Sequence, residues 1–79
     1  METTYKKLSE YIKRARFDKK KSQEDVAKFL CVSTTTYRNW ENNPKQINLE
    51  VGIKLNEFLN CNIFDFFLNL MLQNATNKQ

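Results

Sequence analysis

The sequence predicts an all-α domain of five short helices. Three observations lead there. Apolar residues recur at helical spacing in five segments. The chain holds one glycine and one proline, too few for the turns of a sheet-rich fold or for a disordered linker. The breaks between segments are short and polar. With 79 residues the chain is long enough for one compact domain, near the lower limit of independent stability, where pairing with a second copy would help.

The first helix is expected over residues 5–19. Leu8, Ile12 and Ala15 lie at i, i+4, i+7 on one face, and lysines and arginines fill the others. Ser22 offers an N-cap hydroxyl and Asp25 follows three residues on, close to a capping box. The second helix spans residues 23–30 with Val26, Ala27 and Leu30 inward. Cys31-Val32-Ser33 leaves room only for a tight turn, and Ser33 can cap the third helix at 34–41. There Tyr37 and Trp40 share the inner face. Asn42-Asn43-Pro44 ends it, since Asn tolerates a left-handed cap and Pro cannot continue a helix. The fourth helix starts after Asn48, with Leu49, Gly52, Leu55 and Leu59 inward. A glycine inside a helix costs about 1 kcal/mol against alanine, which points to close approach of another helix. Asn60-Cys61-Asn62 makes a second short turn. The fifth helix is expected over residues 63–73, completing a single domain at 1–73. Residues 74–79 form a polar tail expected to fray.

Charge is unevenly placed. Residues 1–45 carry 11 basic and 6 acidic side chains, whereas residues 46–79 carry 2 basic and 3 acidic. A basic half on a small domain suggests a polyanionic partner, nucleic acid before membrane. The chain has no histidine, no glycine-rich loop and no cysteine beside a plausible base. The usual acid–base and nucleophilic machinery is therefore missing, and an enzyme is not expected. Cys31 and Cys61 form no paired-cysteine motif, so neither a zinc site nor a disulfide framework is expected. No metal or cofactor is implied. Free thiols, the lack of a membrane-length apolar run and an N-terminus unlike a signal peptide suggest the cytoplasm.

Two short helices joined by a three-residue turn form a helix-turn-helix unit. Ala27 is small where the helices must cross, and Val32 is apolar where it can fill the angle between them. The outward residues of the third helix, Thr34, Thr35, Thr36, Arg38 and Asn39, are polar and free of acid until Glu41. Such a helix suits the major groove, where donors, acceptors and thymine methyls are read. The stretch from Ser22-Gln-Glu-Asp-Val-Ala through Cys31-Val-Ser to Trp40-Glu-Asn42 resembles the phage repressor/Cro family of bacterial and phage regulators. Arg16, seven residues before Gln23, adds to the resemblance. So do Asn48-Leu-Glu and Phe64-Asp-Phe-Phe67, and the likeness covers about residues 8–67. It implies the five-helix DNA-binding fold of the lambda-repressor type. Two positions depart from the family pattern. Cys31 stands where glycine is usual, so positive φ would carry a steric cost. Tyr37 stands where Ile or Val is usual, and its hydroxyl needs a partner.

The resemblance implies roles residue by residue. Thr34, Thr35 and Asn39 would face base edges, Asn being able to pair with adenine through two hydrogen bonds. Gln23, assisted by Ser22 at a helix N-terminus, would hold a phosphate. Thr36, Arg38 and Lys45 are further phosphate candidates, and such contacts position the protein without reading sequence. Lys19, Lys20 and Lys21 would supply general attraction. Arg16 and Glu41 would form a structural ion pair, and Trp40 would belong to the core.

The fifth helix is apolar on nearly all sides and so needs covering on two. One side can pack on the domain. The other suggests a dimer interface around Phe64, Phe67 and Met71, unless a further domain covers it. The resulting expectation is a transcriptional regulator, more readily a repressor than an activator. It would bind a pseudo-palindromic operator in double-stranded DNA as a homodimer, its recognition helices about 34 Å apart. Two rivals use the fifth helix to bind another protein: an antitoxin-like protein, and an interaction module without DNA binding. RNA binding is disfavoured because no exposed aromatic platform is expected.

Overall fold

The computed structural model describes the backbone of residues 2–77 and the side chains of residues 3–73. Five α-helices follow one another: α1 (Glu2–Asp18), α2 (Gln23–Leu30), α3 (Thr34–Asn42), α4 (Leu49–Leu59) and α5 (Ile63–Asn77). A 3-10 turn at Pro44–Gln46 joins α3 to α4, and no strand occurs among the described residues. The architecture is the all-α, five-helix one that the apolar spacing predicts.

The core forms where one stripe from each helix meets the others. Leu8, Ile12 and Ala15 of α1 pack with Val26, Ala27 and Leu30 of α2, Tyr37 of α3, Leu55 and Leu59 of α4 and Ile63 of α5. Val32 and Trp40 are half-buried against this cluster. Aromatic pairs extend it at the edges: Tyr11 stacks on Phe66 with ring centroids 4.3 Å apart, and Phe29 stacks on Phe58 at 4.3 Å.

Caps define the helix ends. At α2 the capping box is complete: the Asp25 N–H donates to Ser22 Oγ (3.0 Å) and the Ser22 N–H donates to Asp25 Oδ2 (2.9 Å). Ser33 Oγ accepts from the Thr36 N–H at 3.1 Å, and Asn48 Oδ1 from the Val51 N–H at 2.8 Å. Asn62 Oδ1 caps α5 through the Asp65 N–H at 3.0 Å.

Three helices end on a left-handed residue, and none of the three is glycine: Lys20 (φ 56°), Cys31 (φ 60°) and Asn60 (φ 52°). After each one the next N–H reaches back five residues, from Lys21 to the Arg16 carbonyl, Val32 to Ala27 and Cys61 to Asn56, at 3.0 Å in each case. This is the bond that closes a Schellman cap. The one glycine serves a different purpose. Gly52 lies inside α4, and a Cβ there would come within 2.5 Å of Phe64 Cζ and 3.3 Å of Ile63 Cδ1. Its missing side chain leaves the space that the Phe64 ring of α5 occupies.

Helix α1 begins at Glu2 rather than at residue 5, and four further details differ from the sequence reading. Leu49, expected inward, is 69% exposed; as the first residue of α4 it stands clear of the neighbours that cover the next turns. Asn43 adopts φ −134°, ψ 75° rather than a left-handed cap, because the residue before proline is pushed toward extended backbone. The 3-10 turn begins at Pro44, whose fixed φ suits a first helical position. Finally, α5 continues to Asn77, four residues past Gln73. Of the expected polar tail, residues 74–77 are thus helical in backbone, and 78–79 lie outside the described residues.

Candidate nucleic-acid interface

The corner between α2 and α3 is organised around one buried carboxylate. Glu41, the next-to-last residue of α3, is 0% exposed. Arg16 of α1 grips it with two hydrogen bonds, Nε to Oε2 at 2.9 Å and Nη2 to Oε1 at 3.1 Å. The Tyr37 hydroxyl donates to Oε2 at 2.7 Å, and Gln23 Nε2 to Oε1 at 3.0 Å. Ser9 of α1 donates to the Glu41 backbone carbonyl at 2.6 Å. Three helices thus converge on one residue. Burial alone would raise the carboxyl pKa, but hydrogen bonds from Arg16, Tyr37 and Gln23 outweigh it and hold Glu41 below its ordinary value. Burial first, and the bond to Glu41 second, push the Tyr37 hydroxyl well above its usual range, so it remains a donor at any physiological pH. The hydrogen bond to Glu41 likewise raises the already high value of Arg16.

The polar shell around this hub holds the residues expected to meet DNA. Thr35, Arg38 and Asn39 are exposed on α3, and Thr34 and Thr36 are half-buried on its first turn. Thr36 Oγ1 accepts from the Ser33 hydroxyl at 2.9 Å, which fixes its orientation. Lys45 is exposed on the 3-10 turn just beyond α3. Ser22 is exposed at the start of α2, where its hydroxyl and N–H already serve the cap. The bond from Ser22 also holds the Asp25 carboxyl below its ordinary value. Gln23 sits half-buried beside Ser22, and its Oε1 accepts from Arg38 Nε at 3.3 Å. Arg16 Nη1 donates to the Lys21 carbonyl at 3.0 Å, tying the lysine-rich turn to the same hub.

The fold brings together residues from distant parts of the chain that a linear reading treats separately. The Tyr37–Glu41 bond could have been anticipated, because i and i+4 share a helix face and a buried Tyr hydroxyl requires a partner. The Ser9 contact and the Gln23–Arg38 bond have no such local signal. Exposed aromatics also escape a linear reading. Phe17 is 70% exposed with the Arg16 guanidinium 5.1 Å from its ring centre, so RNA is not disfavoured by a lack of exposed aromatic rings.

A family model described as helix-turn-helix matches residues 12–66. The chain belongs to the phage repressor/Cro-type helix-turn-helix family. As a member of it, the protein is a DNA-binding transcriptional regulator. No curated protein and no solved structure matches the chain. The matched span runs from the middle of α1 into α5, so it includes Arg16, Gln23, Tyr37 and Glu41, whereas Ser9 precedes it. Among the described residues no helix is long and apolar enough to cross a membrane.

The face of this Cro-type domain that carries α5 is of another kind. Phe67, expected in a dimer interface, packs on Tyr5 of α1 with ring centroids 5.4 Å apart, and Met71 is half-buried. Phe64 rests against Gly52 yet is 40% exposed, and Leu68, one turn on, is 54% exposed. Leu49 and Ile53 of α4, which flank Gly52, are also exposed. The open apolar surface therefore combines α4 and the Phe64–Leu68 side of α5.

Proposed function

We propose that the protein is a repressor that binds a pseudo-palindromic operator as a homodimer. The observation that carries the reading is the placement of α3. Its polar residues Thr35, Arg38 and Asn39 face outward from a corner anchored by a buried ion pair. In this reading Thr34, Thr35 and Asn39 contact base edges in the major groove. Ser22, Thr36, Arg38 and Lys45 contact the phosphates, while Gln23, expected as a phosphate ligand, stands behind Arg38 with its amide oxygen outward. A dimer occupying two successive major grooves would exclude polymerase from an overlapping promoter.

The apolar surface of α4 and α5 supports the second copy. Phe64, Leu68, Leu49 and Ile53 belong to the segment of the chain with few basic residues, and Lys45 is the basic side chain that shares a cavity with Phe64. A self-complementary two-fold contact needs such an apolar centre within roughly 800 Å² per partner. The interface is accordingly centred on Phe64 and Leu68 rather than on Phe67 and Met71.

Selection of bound sequences from a random duplex pool, with wild type beside Asn39→Ala, tests the reading. The expected result is an enriched inverted repeat that loses one preferred base in the variant. A single enriched half-site, with a monomer by sedimentation, would remove the homodimer. Weak salt-sensitive binding without enrichment would overturn sequence-specific regulation. A reporter downstream of the selected site reads the sign: repression is expected, and activation would reverse that part of the proposal.

A further inference from the structure

Gln23 is engaged at both ends of its side-chain amide. On the inner side Nε2 donates to Glu41 Oε1 at 3.0 Å, and on the outer side Oε1 accepts from Arg38 Nε at 3.3 Å. The orientation follows from polarity. The Glu41 carboxylate is buried and accepts only, so the amide nitrogen must face inward and the carbonyl oxygen outward. Reversing the amide would set oxygen against carboxylate oxygen. An outward carbonyl oxygen repels a phosphate and attracts a donor, and here it takes the Nε–H of exposed Arg38. Guanidinium is a planar fork of five N–H donors. Tethering it at Nε leaves the two Nη groups to form a bidentate contact with one phosphate.

We propose that Gln23 is a positioning residue that holds the Arg38 guanidinium in aim at a backbone phosphate, anchored from behind by buried Glu41. Its work at the DNA is done through Arg38. An arginine on a free helix surface must lose side-chain freedom on binding. Held by Gln23, part of that ordering is completed before DNA arrives. The inference rests on the reading of Arg38 as a phosphate contact.

Salt dependence separates this role from direct contact. A cation at a phosphate releases a counterion, so the slope of log K against log salt becomes shallower by about 0.9 for each phosphate-bound cation that is removed. A neutral amide donating to phosphate leaves that slope unchanged. The experiment measures binding of a fluorescent duplex of fixed sequence over a salt series, for wild type, Gln23→Ala, Arg38→Ala and the double variant. All are held at a temperature where circular dichroism shows them folded. Arg38→Ala is expected to make the slope shallower by about 0.9. Gln23→Ala should make it shallower also, although it removes no charge, and should have less than a twofold further effect on affinity in the Arg38→Ala background. Additive losses of affinity with an unchanged slope in Gln23→Ala would overturn the proposal and make Gln23 a direct phosphate ligand. An unchanged slope in Arg38→Ala would instead overturn the phosphate reading of Arg38 itself.

A second measurement needs no DNA. Gln23→Lys keeps a donor to Glu41 but offers no acceptor to Arg38. In wild type the Arg38 Nε–H resonance is expected to be slowed in exchange with water. In Gln23→Lys that protection should be lost while the Arg16 Nε–H signal persists. Retained protection of Arg38 would overturn the proposal even if Gln23→Ala failed to fold.

Discussion

The α2–α3 corner and the α4–α5 corner share a backbone plan. Each has a three-residue break, a left-handed first residue, a bond reaching five residues back, and a polar third residue that caps the next helix. Cys31 and Ser33 fill the plan in one corner, Asn60 and Asn62 in the other. The corners differ in what stands behind them. The first is tied to α1 by Glu41, a buried carboxylate with four hydrogen bonds from three side chains. The second is tied by Asn56, whose Oδ1 accepts from the Ile63 N–H at 2.8 Å, and by the Asn62 N–H, which donates to the Tyr11 hydroxyl at 3.1 Å. The first corner uses a charged pair, Arg16 with Glu41, reinforced by neutral donors from Tyr37 and Gln23. The second uses neutral hydrogen bonds and the contact of the Phe64 ring with Gly52. A rigid corner suits a recognition helix that must present side chains in one geometry.

The largest effect that could break this comparison comes from the hub. Glu41→Ala leaves Arg16 without its buried partner and should cost about 3–5 kcal/mol, read by urea denaturation. Asn56→Ala at the other corner removes an acceptor from a part-buried N–H and should cost about 1–3 kcal/mol. Equal destabilisation would mean that the two corners are anchored alike.

Acid should act on the first corner. Glu41 is held below its ordinary pKa of 4.5 in the folded protein. The folded state therefore binds the proton more weakly than the unfolded chain. The stabilisation is complete above about pH 4.5 and is lost as pH falls through the folded-state value. Asp25, held low by Ser22, acts in the same direction from an exposed site. Thermal melts from pH 7 to pH 3 should show a falling limb that is shallower in Glu41→Gln. An unaltered limb would assign acid sensitivity elsewhere.

The turns themselves give a smaller contrast. A left-handed residue with a Cβ carries roughly 1–2 kcal/mol of strain, part of which glycine returns through unfolded-chain entropy. Cys31→Gly and Lys20→Gly should each stabilise by about 0.5–1 kcal/mol. Asn60→Gly should gain only a few tenths, because Asn tolerates this conformation. Equal gains at Cys31 and Asn60 would remove that distinction.

Gly52→Ala should have the smallest effect on stability. The new methyl gains about 1 kcal/mol of helix propensity, while the Phe64 ring must swing aside. These nearly cancel because Phe64 is half-exposed and its ring meets the new methyl at the far end of the side chain. The same change should weaken dimerisation severalfold by sedimentation, since it redirects Phe64. A loss of several kcal/mol in the monomer would mean that Gly52 is needed for the fold itself.

Much of this molecule is legible along the chain. The three N-caps at Ser22, Ser33 and Asn48 can be read because a cap is a bond between residues three apart. The buried stripes of α1 and α2 can be read because charge on the other faces leaves only one apolar side. Trp40 and Tyr37 can be turned inward because Thr35, Arg38 and Asn39 around them are polar. The fifth helix resists the same treatment. With Phe64, Phe66, Phe67, Leu68 and Met71 nearly encircling it, periodicity does not say which side the domain covers. The aromatic packing on Tyr5 decides that for Phe67.

What the sequence determined by itself was therefore mostly local: five helices, the N-caps at Ser22, Ser33 and Asn48, the two three-residue turns, the outward polar face of α3 and the membership of a DNA-binding family. All but the family membership, which rests on a pattern spread over residues 12–66, depend on residues close in the chain, whose geometry is set as soon as a helix forms. The tertiary structure alone decided the inward-facing nitrogen of Gln23, the tether it places on Arg38, the exposure of Leu49 and the open side of α5. Those depend on which groups from remote segments arrive at the same place. A buried carboxylate selects the donors around it, and a glycine lets a neighbouring ring approach, only once the helices have packed.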